Sequence, residues 1–387
     1  MAKQLACILS LLFMFFSSSK AVYNVVSLGA KTDGKTDATQ AFLKAWSLAC
    51  SSARADTIYV PPGRYLMKPA EFRGPCKNRV NVKIDGTLVA PSDYRVIANS
   101  NSWLLFIQVN GLSVTGGTID AQGAGLWACK TAGKSCPSGA RSITFNYANN
   151  VVISGLTSYN SQISHIVINN CNNVMVQGVK IVAPDQSPNT DGIHVQFSTG
   201  VTITSSSIKT GDDCVSIGPG TKNLWIQRVA CGPGHGISIG SLGKDLNEQG
   251  VQNVTVKDST FTGTDNGVRI KSWAKPSNGF VRGVLYQNLI MNNAKNPIII
   301  DQIYCPDNNC PNKVQNSGVK ISQVTYQNIR GTSATQVAVN FVCSSSNPCT
   351  GIRLQDVKLT YRNGAALSSC ANASGTAGGV TVPGSCL

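Results

Sequence analysis

The chain has 387 residues, 42% of them hydrophobic, and carries a formal net charge of +15 at pH 7. It is long enough to bury a large core, and after its first residues no stretch stays apolar for about 18 residues, which excludes a later membrane anchor. A basic surface attracts polyanions, and for an exported chain we expect an acidic polysaccharide as the partner, not nucleic acid or a membrane.

The amino terminus has the three parts of a secretory signal peptide. Lys3 supplies a positive charge, residues 5–16 form an apolar run too short to span a bilayer, and residues 19–21 include small residues suited to a cleavage site. We therefore predict a signal peptide over residues 1–21, a single domain over residues 22–387, and secretion to the extracellular space.

One segment, from Asp37 to Ala49, has the pattern of a helix. Asp37 and Gln40 have the spacing of a capping pair, and Phe42, Trp46 and Ala49 recur on one face. Elsewhere the chain consists of short runs of Val, Ile and Thr separated by Gly and Asn, which is typical of many short strands.

These strand-like runs recur in two series that advance together by roughly 20–30 residues, the step of a solenoid. The first series is 151–153, 174–176, 201–203, 224–226 and 254–256, and the second is 166–168, 193–195, 215–217, 237–239, 268–270 and 298–300. We predict an all-β, single-domain parallel β-helix. Because a solenoid must cover its ends, we expect the helix at residues 37–49 to cap the first coil and residues 343–386 to cover the last.

The chain has 14 cysteines, a number that suggests disulfides in an exported protein. Four close pairs suit local loop closures: Cys129/Cys136, Cys305/Cys310, Cys343/Cys349 and Cys370/Cys386. We expect Cys214 to pair with Cys231 and Cys171 to stay free. The absence of a CxxC spacing disfavours a zinc cluster. Asn253 and Asn372 each begin a triplet that could carry an N-glycan.

The second series places polar residues in a column. If Ile193 and Val195 point inward, the residues two positions before each strand should stack about 4.8 Å apart on successive coils. These residues are Asp191, Asp213, His235 and Asn266, with Asp212 beside Asp213. Stacked like charges repel, so the column indicates function and not stability. Alternation also turns Ser216, Ser238, Arg269 and Lys271 outward, and the two cations suit a substrate that carries carboxylates.

Four segments with these residues occur in a characteristic order. They are Asn189-Thr-Asp191, Gly211-Asp-Asp213, Gly234-His-Gly236 and Arg269-Ile-Lys271. Together they resemble the signature segments of the polygalacturonases, the family-28 glycoside hydrolases. The segment from Asp301 to Cys305 resembles the family's later tyrosine segment, and residues 25–34 and 60–63 resemble the first coils of plant members.

The resemblance implies a right-handed parallel β-helix that hydrolyses α-1,4-linked galacturonan with inversion at the anomeric carbon. It implies roles for seven residues: Asp212 as general acid, Asp191 and Asp213 as holders of the attacking water, His235 as a residue that tunes the acid, and Arg269, Lys271 and Tyr304 as substrate-binding residues. It implies no cofactor and no metal, a monomer, and pectin of the cell wall as substrate.

Several alternatives stay open at this point. The enzyme could attack internally or from chain ends, with internal attack weakly favoured, or it could cut a rhamnogalacturonan or xylogalacturonan backbone. A lyase on a similar solenoid would need a base at the sugar's C5 and usually calcium. The three aspartates could hold calcium, but such a site does not usually adjoin His235, Arg269 and Lys271. An inactive wall-binding protein is the non-enzymatic alternative.

Overall fold

The computed structural model describes residues 21–306, 310 and 316–387. The predicted signal peptide, apart from Ala21, lies outside these described residues. Within them, no helix is both long and apolar enough to cross a membrane.

The strands wind into a right-handed parallel β-helix, as predicted. The smaller sheet has 11 strands: Ala70–Arg73, Ser102–Ile107, Arg141–Asn146, Ile166–Asn169, Ile193–Gln196, Val215–Ile217, Ile237–Leu242, Asn266–Trp273, Asn296–Tyr304, Val337–Val342 and Leu367–Ala371. The larger has 23: Val22–Asn24, Asp33–Asp37, Thr57–Val60, Arg64–Leu66, Val80–Ile84, Thr87–Val89, Asn110–Thr115, Thr118–Asp120, Asn149–Ser154, Thr157–Tyr159, Asn172–Gln177, Lys180–Val182, Thr199–Thr204, Ser207–Lys209, Lys222–Gln227, Ala230–Cys231, Val251–Lys257, Thr260–Thr262, Phe280–Ala294, Lys320–Ser333, Cys349–Tyr361, Gly364–Ala365 and Ala373–Gly378.

Both predicted series are present, and the larger sheet contains a third that the sequence pattern did not reveal. Most of its members are two or three residues long, such as Ser207–Lys209 and Ala230–Cys231. Strands this short carry too little alternation to be recognised as a repeat. In a later coil the two series of the larger sheet merge into the single long strand Phe280–Ala294, which pairs with both Val251–Lys257 and Thr260–Thr262.

The core lies inside the coils, between the sheets. Ile193 pairs with Val215, which pairs with Ile237, which pairs with Val268, and all four side chains are buried. Burial of such side chains stabilises the fold by roughly 1.5–3 kcal/mol each. Because the inward face is fixed by this register, the polar residues between the core positions are fixed on the outside.

The predicted helix is present as Thr39–Ser51, and its apolar face is buried. Trp46 packs edge-on against Phe72, with ring centroids 5.4 Å apart. The predicted Asp37–Gln40 capping pair is wrong: the helix begins after Ala38 without a side-chain cap, and Asp37 instead accepts from the Thr39 amide at 3.0 Å. That this helix caps the first coil stays a prediction. Two shorter helices, Arg95–Ala98 and Ala124–Thr131, were not predicted.

Six disulfides join cysteines of the described chain: Cys50–Cys76, Cys129–Cys136, Cys214–Cys231, Cys305–Cys310, Cys343–Cys349 and Cys370–Cys386. Cys171 is unpaired and buried. The two triplet asparagines both use their side-chain amides internally, since Asn253 donates to Asn223 at 2.6 Å and Asn372 donates to the Cys343 carbonyl at 3.1 Å. Glycosylation at either position stays a prediction.

Candidate active site

The coil register brings the predicted column together. The pairing of the core strands sets Asp191, Asp213, His235 and Asn266 at equivalent positions of four successive coils. Backbone bonds continue between these turns, from the Gly192 amide to the Asp213 carbonyl at 2.9 Å, for example. The polar side chains therefore stand on a hydrogen-bonded and rigid backbone.

Asp212 lies in the turn before the strand Val215–Ile217 and is partly open to solvent, with 18% of its side chain exposed. Its carbonyl accepts from the His235 amide at 2.7 Å, and its Oδ1 accepts from the Asp213 amide at 2.8 Å. The Cys214–Cys231 disulfide ties this turn to the next coil. These contacts hold the Asp212 carboxyl at the mouth of the site.

His235 stands between two glycines that the close packing of coils requires. A Cβ at Gly234, which has φ +148°, would lie 2.9 Å from the Asp212 carbonyl, and one at Gly236 would lie 2.1 Å from the Asn266 carbonyl. The imidazole Nδ1 lies 3.0 Å from Asp212 Oδ1. This hydrogen bond to Asp212 is the main cause that raises the pKa of His235, and the charges of neighbouring carboxylates add to it.

Asp213 is almost fully buried, with 2% of its side chain exposed, and both of its oxygens are engaged. Oδ1 accepts from Ser238 Oγ at 2.7 Å and from Arg269 Nη2 at 3.0 Å, while Oδ2 accepts from Lys271 Nζ at 2.9 Å. Burial by itself raises the pKa of Asp213, but the charges of Lys271 and Arg269 outweigh it and lower the pKa below its ordinary value. Asp213 is therefore a fixed negative charge.

Asp191 has quite different surroundings. Among the described residues, its one side-chain donor is Ser216, whose Oγ lies 2.5 Å from Asp191 Oδ2. No side-chain cation of the described residues pairs with it. Burial, together with the charges of Asp212 and Asp213, raises the pKa of Asp191. Asp191 thus has one oxygen, Oδ1, that accepts no hydrogen bond from the described side chains, and it has a high affinity for a proton.

The outward-facing residues of the smaller sheet are not all exposed, which corrects the expectation from alternation. Ser216, Ser238 and Lys271 are 3%, 0% and 6% exposed, because the loops and side chains around the column cover them. Alternation distinguishes the core face from the outer face, but it does not reveal what lies over the outer face.

Arg269 and Lys271, predicted to bind substrate, both form ion pairs with Asp213. Tyr304 lies over both, with its ring centroid 5.2 Å from Lys271 Nζ and 5.9 Å from the Arg269 guanidinium carbon. The Trp273 ring meets Tyr304 edge-on at 5.3 Å. The three predicted substrate residues therefore form one cluster, and substrate binding by them stays a prediction.

Two cavities open to solvent flank Asp212. One of about 430 Å³ is lined by His235, Asp265 and Arg269, and the other of about 490 Å³ is lined by Asp191 and His194; Asp212, Lys271 and Tyr304 line both. Because they share these residues, the two cavities form one groove that passes over the three carboxyls.

Sequence reasoning missed several residues of this site. Asn189 donates to Asp212 Oδ2 at 3.5 Å, and Asp265 lies 3.6 Å from the other imidazole nitrogen of His235. Ser216 and Ser238 had no predicted role. The sequence could have indicated them, because each lies the same number of residues after its column residue as His194 and Arg269 do. All four occupy paired positions of successive strands.

A metal site was considered at the same residues. Ligand atoms of Asp212, Asp213 and His235 all lie within 4.8 Å of one another. Both oxygens of Asp213, however, are held by Arg269 and Lys271, and a divalent cation would have to displace these positive charges. The residues therefore do not fit a metal ion.

The chain is similar to known proteins over almost its whole length. The family model "Glycosyl hydrolases family 28" matches residues 50–383. A protein named polygalacturonase from Prunus persica is 60% identical over 98% of each chain, and one named exopolygalacturonase from Platanus acerifolia is 44% identical over 95% of this chain and 98% of that one.

Solved structures share the fold. An endo-xylogalacturonan hydrolase from Aspergillus tubingensis superposes with a TM-score of 0.80 at 24% identity, over 93% of this chain and 100% of that one. A polygalacturonase from Erwinia carotovora gives a TM-score of 0.72 at 24% identity, over 92% and 97% of the two chains.

Proposed function

The chain belongs to glycosyl hydrolase family 28 and is a glycoside hydrolase, and on that premise we propose that its substrate is the α-1,4-linked galacturonan of pectin. The relative from Prunus persica, which matches nearly the whole chain, is named a polygalacturonase. The net charge of +15 also suits a polyanionic substrate. A polymer of galacturonate presents a carboxylate on every sugar, and Arg269 and Lys271 lie beside the acids where one sugar must sit.

The observation that carries the proposal is that the three aspartates have different surroundings. Asp212 reaches the groove and contacts His235, Asp213 is held by two cations, and Asp191 has one oxygen that accepts no hydrogen bond from the described side chains. Hydrolysis needs one group that gives a proton to the leaving oxygen and another that takes a proton from water. Asp212 suits the first task and Asp191 the second.

In the proposed reaction Asp212 protonates the glycosidic oxygen as the bond to the anomeric carbon breaks. A water held between Asp191 and Asp213 attacks that carbon from the opposite face and gives its proton to Asp191. Asp213 keeps its charge throughout because Arg269 and Lys271 stabilise it. Direct attack by water inverts the configuration. Each turnover therefore leaves Asp212 without its proton and Asp191 with one.

His235 suits the return of the acid to its starting state. Its pKa is raised, chiefly by the hydrogen bond to Asp212, so the ring holds a proton over a wider range of pH than an ordinary histidine. The ring nitrogen lies 3.0 Å from the carboxyl that must be reprotonated. Proton NMR in the first minutes of digestion tests the stereochemistry: β reducing ends should appear first, and early α ends would require a covalent intermediate instead.

Internal attack is the proposed mode because the groove continues on both sides of Asp212. The name of the Platanus acerifolia relative favours attack from chain ends as a second candidate. Brief digestion of polygalacturonic acid followed by sizing of the products separates the two modes: a spread of oligomers indicates internal attack, and monomer alone indicates end attack. A product with an ultraviolet-absorbing double bond would indicate a lyase and contradict the proposal.

Export to the cell wall, action as a monomer and removal of residues 1–21 belong to the same proposal. The apolar run in the sequence before residue 20 and the disulfides support export to an oxidising compartment. Amino-terminal sequencing of the protein recovered from the wall fraction should begin near Val22.

A further inference from the structure

Two neighbouring coils contain the same three-part arrangement. In one, Ser238 Oγ lies 2.7 Å from Asp213 Oδ1 and accepts a hydrogen bond from Arg269 Nε at 3.0 Å. In the other, Ser216 Oγ lies 2.5 Å from Asp191 Oδ2, and the nitrogen at its other side is His194 Nδ1 at 2.8 Å. Each aspartate thus accepts a hydrogen bond from a serine of the next coil, and each serine is in turn hydrogen-bonded to a side-chain nitrogen.

The hydrogen positions follow from this geometry. A serine hydroxyl has one proton, and an ionised carboxylate can only accept. While Asp191 is ionised, the Ser216 proton must point to Asp191, so His194 Nδ1 must itself carry a proton and donate it to Ser216. In the other coil Arg269 always has that proton, whereas His194 supplies it only in one of its two neutral tautomers.

We propose that His194 is a positioning residue for Asp191: its Nδ1–H occupies the lone pair of Ser216 and thereby keeps the serine hydroxyl turned toward Asp191 Oδ2. With Oδ2 held in this way, Oδ1 is the oxygen left to take the proton of the attacking water. The inference rests on the proposed function, in which Asp191 is that acceptor. The proposed proton transfers involve neither His194 nor Ser216 directly.

Charged groups around the pair support a neutral His194. Burial is the main cause that lowers the pKa of His194; a hydrogen bond with the Gln196 side chain and the charge of Asp213 oppose it, while Arg141 and Lys271 lower the pKa further. Asp191 is faced by Asp212, Asp213 and Lys271 as well as by Ser216. A protonated His194 would add charge to this crowded region, whereas the neutral Nδ1–H tautomer gives the hydrogen bond without it.

A spectroscopic experiment tests the tautomer without reference to activity. The sequence has 3 histidines, so a nitrogen-15 spectrum of the imidazole rings is simple enough to assign with single His variants. In alkaline buffer, where Asp191 is ionised, His194 should show a protonated Nδ1 and a bare Nε2. The opposite tautomer would overturn the proposal whatever the enzyme's substrate proves to be.

A matched pair of variants tests the effect on turnover. His194→Asn keeps an N–H at the position of Nδ1, while His194→Leu has the same branched shape and no donor. We expect His194→Leu to lower kcat on polygalacturonate by about 10-fold or more through misplacement of Asp191, with KM changed by less than about 2-fold. His194→Asn should stay within about 3-fold of the wild type on the same reasoning.

The pH profile separates positioning from a purely structural effect. Loss of the Ser216 hydrogen bond removes a contact that lowers the pKa of Asp191. The acidic limb of kcat/KM should therefore move to higher pH in His194→Leu, by about one unit. Thr144→Ala, which deletes a hydrogen bond to Ser102 on the same sheet outside the groove, is the control and should leave the limb in place.

Because His194 acts through Ser216, the double variant His194→Leu/Ser216→Ala should be no worse than Ser216→Ala alone. Additive losses, an unshifted acidic limb in His194→Leu, or equal damage from His194→Asn and His194→Leu would each overturn the proposal. If the wild type failed to cut polygalacturonate, the proposed function would fall, and the tautomer experiment would still decide the hydrogen-bond assignment.

Discussion

Asp191 and Asp213 occupy equivalent positions in neighbouring coils, and each accepts a hydrogen bond from a serine of the next coil. They differ in the charges around them. At Asp213 the charges of Lys271 and Arg269 outweigh burial and lower the pKa, whereas at Asp191 burial, together with two neighbouring carboxylates, raises the pKa. A repeated backbone can therefore place the same residue type twice and give it opposite proton affinities through the side chains one or two coils away.

The largest expected effect comes from changing the two aspartates separately. Asp191→Asn and Asp213→Asn should each reduce kcat by about 10²–10⁴-fold, because each removes a member of the water site. Their stabilities should differ. Asp213→Asn leaves Arg269 and Lys271 with an uncompensated charge and should lower the free energy of unfolding by about 3–5 kcal/mol, while Asp191→Asn removes a repelled carboxylate and should not destabilise.

Urea unfolding of the two variants beside the wild type checks this difference. Asp212→Asn is the matched reference, since Asp212 is partly exposed and forms its only ion pair with a described residue through His235. It should lose turnover by a similar factor, about 10²–10⁴, with stability unchanged. Equal destabilisation by Asp191→Asn and Asp213→Asn would contradict the assignment of the two cations to Asp213.

A second experiment asks whether Lys271 acts through Asp213. Lys271→Met alone removes one partner of a buried pair and should lower the free energy of unfolding. In the Asp213→Asn background the same change should lower it much less. We expect a coupling free energy of about 0.5–3 kcal/mol between the two positions from the double-mutant cycle. The pair Lys271→Met and Asp191→Asn serves as the control and should show a smaller coupling. Independent, additive effects of the changes at Lys271 and Asp213 would contradict the conclusion that Lys271 acts through Asp213.

The two aspartates should also give stability opposite slopes with pH. Asp213, with a lowered pKa, contributes stability that is present above the ordinary pKa of about 3.9 and is lost as pH falls below it. Asp191, with a raised pKa, contributes stability that is present below about 3.9 and is lost as pH rises through its folded-state value. In thermal unfolding from pH 3 to neutral, the stability of the wild type should therefore fall relative to that of Asp191→Asn as pH rises. A constant difference would contradict the raised pKa.

The smallest expected effect is that of a chelator. Because Arg269 and Lys271 occupy both oxygens of Asp213, a divalent cation has no place there, and EDTA should leave activity on polygalacturonate unchanged. The control is the same assay with calcium added back. Loss in EDTA with recovery in calcium would show that a metal competes with the two cations and would revive the lyase alternative.

Much of the site could be predicted because period-two alternation and the solenoid step are local properties of the chain. The runs at 193–195, 215–217, 237–239 and 268–270 fix which residues face the core and which residues stack, and the observed register is the predicted one. The column from Asp191 to Asn266 follows directly. The match of four ordered segments to a known family likewise needed no coordinates.

Only the tertiary structure decided how the outer side chains pair. Long side chains such as Arg269 and Lys271 can reach several groups, and their choice of Asp213 depends on neighbours 56 and 58 residues away in sequence. The burial of Ser216 and Ser238, the merging of two strand series, and the start of the first helix after Ala38 depend on the same kind of distant contact. The backbone repeat was therefore determined by the sequence pattern, and the difference in charge between Asp191 and Asp213 was decided by contacts between coils.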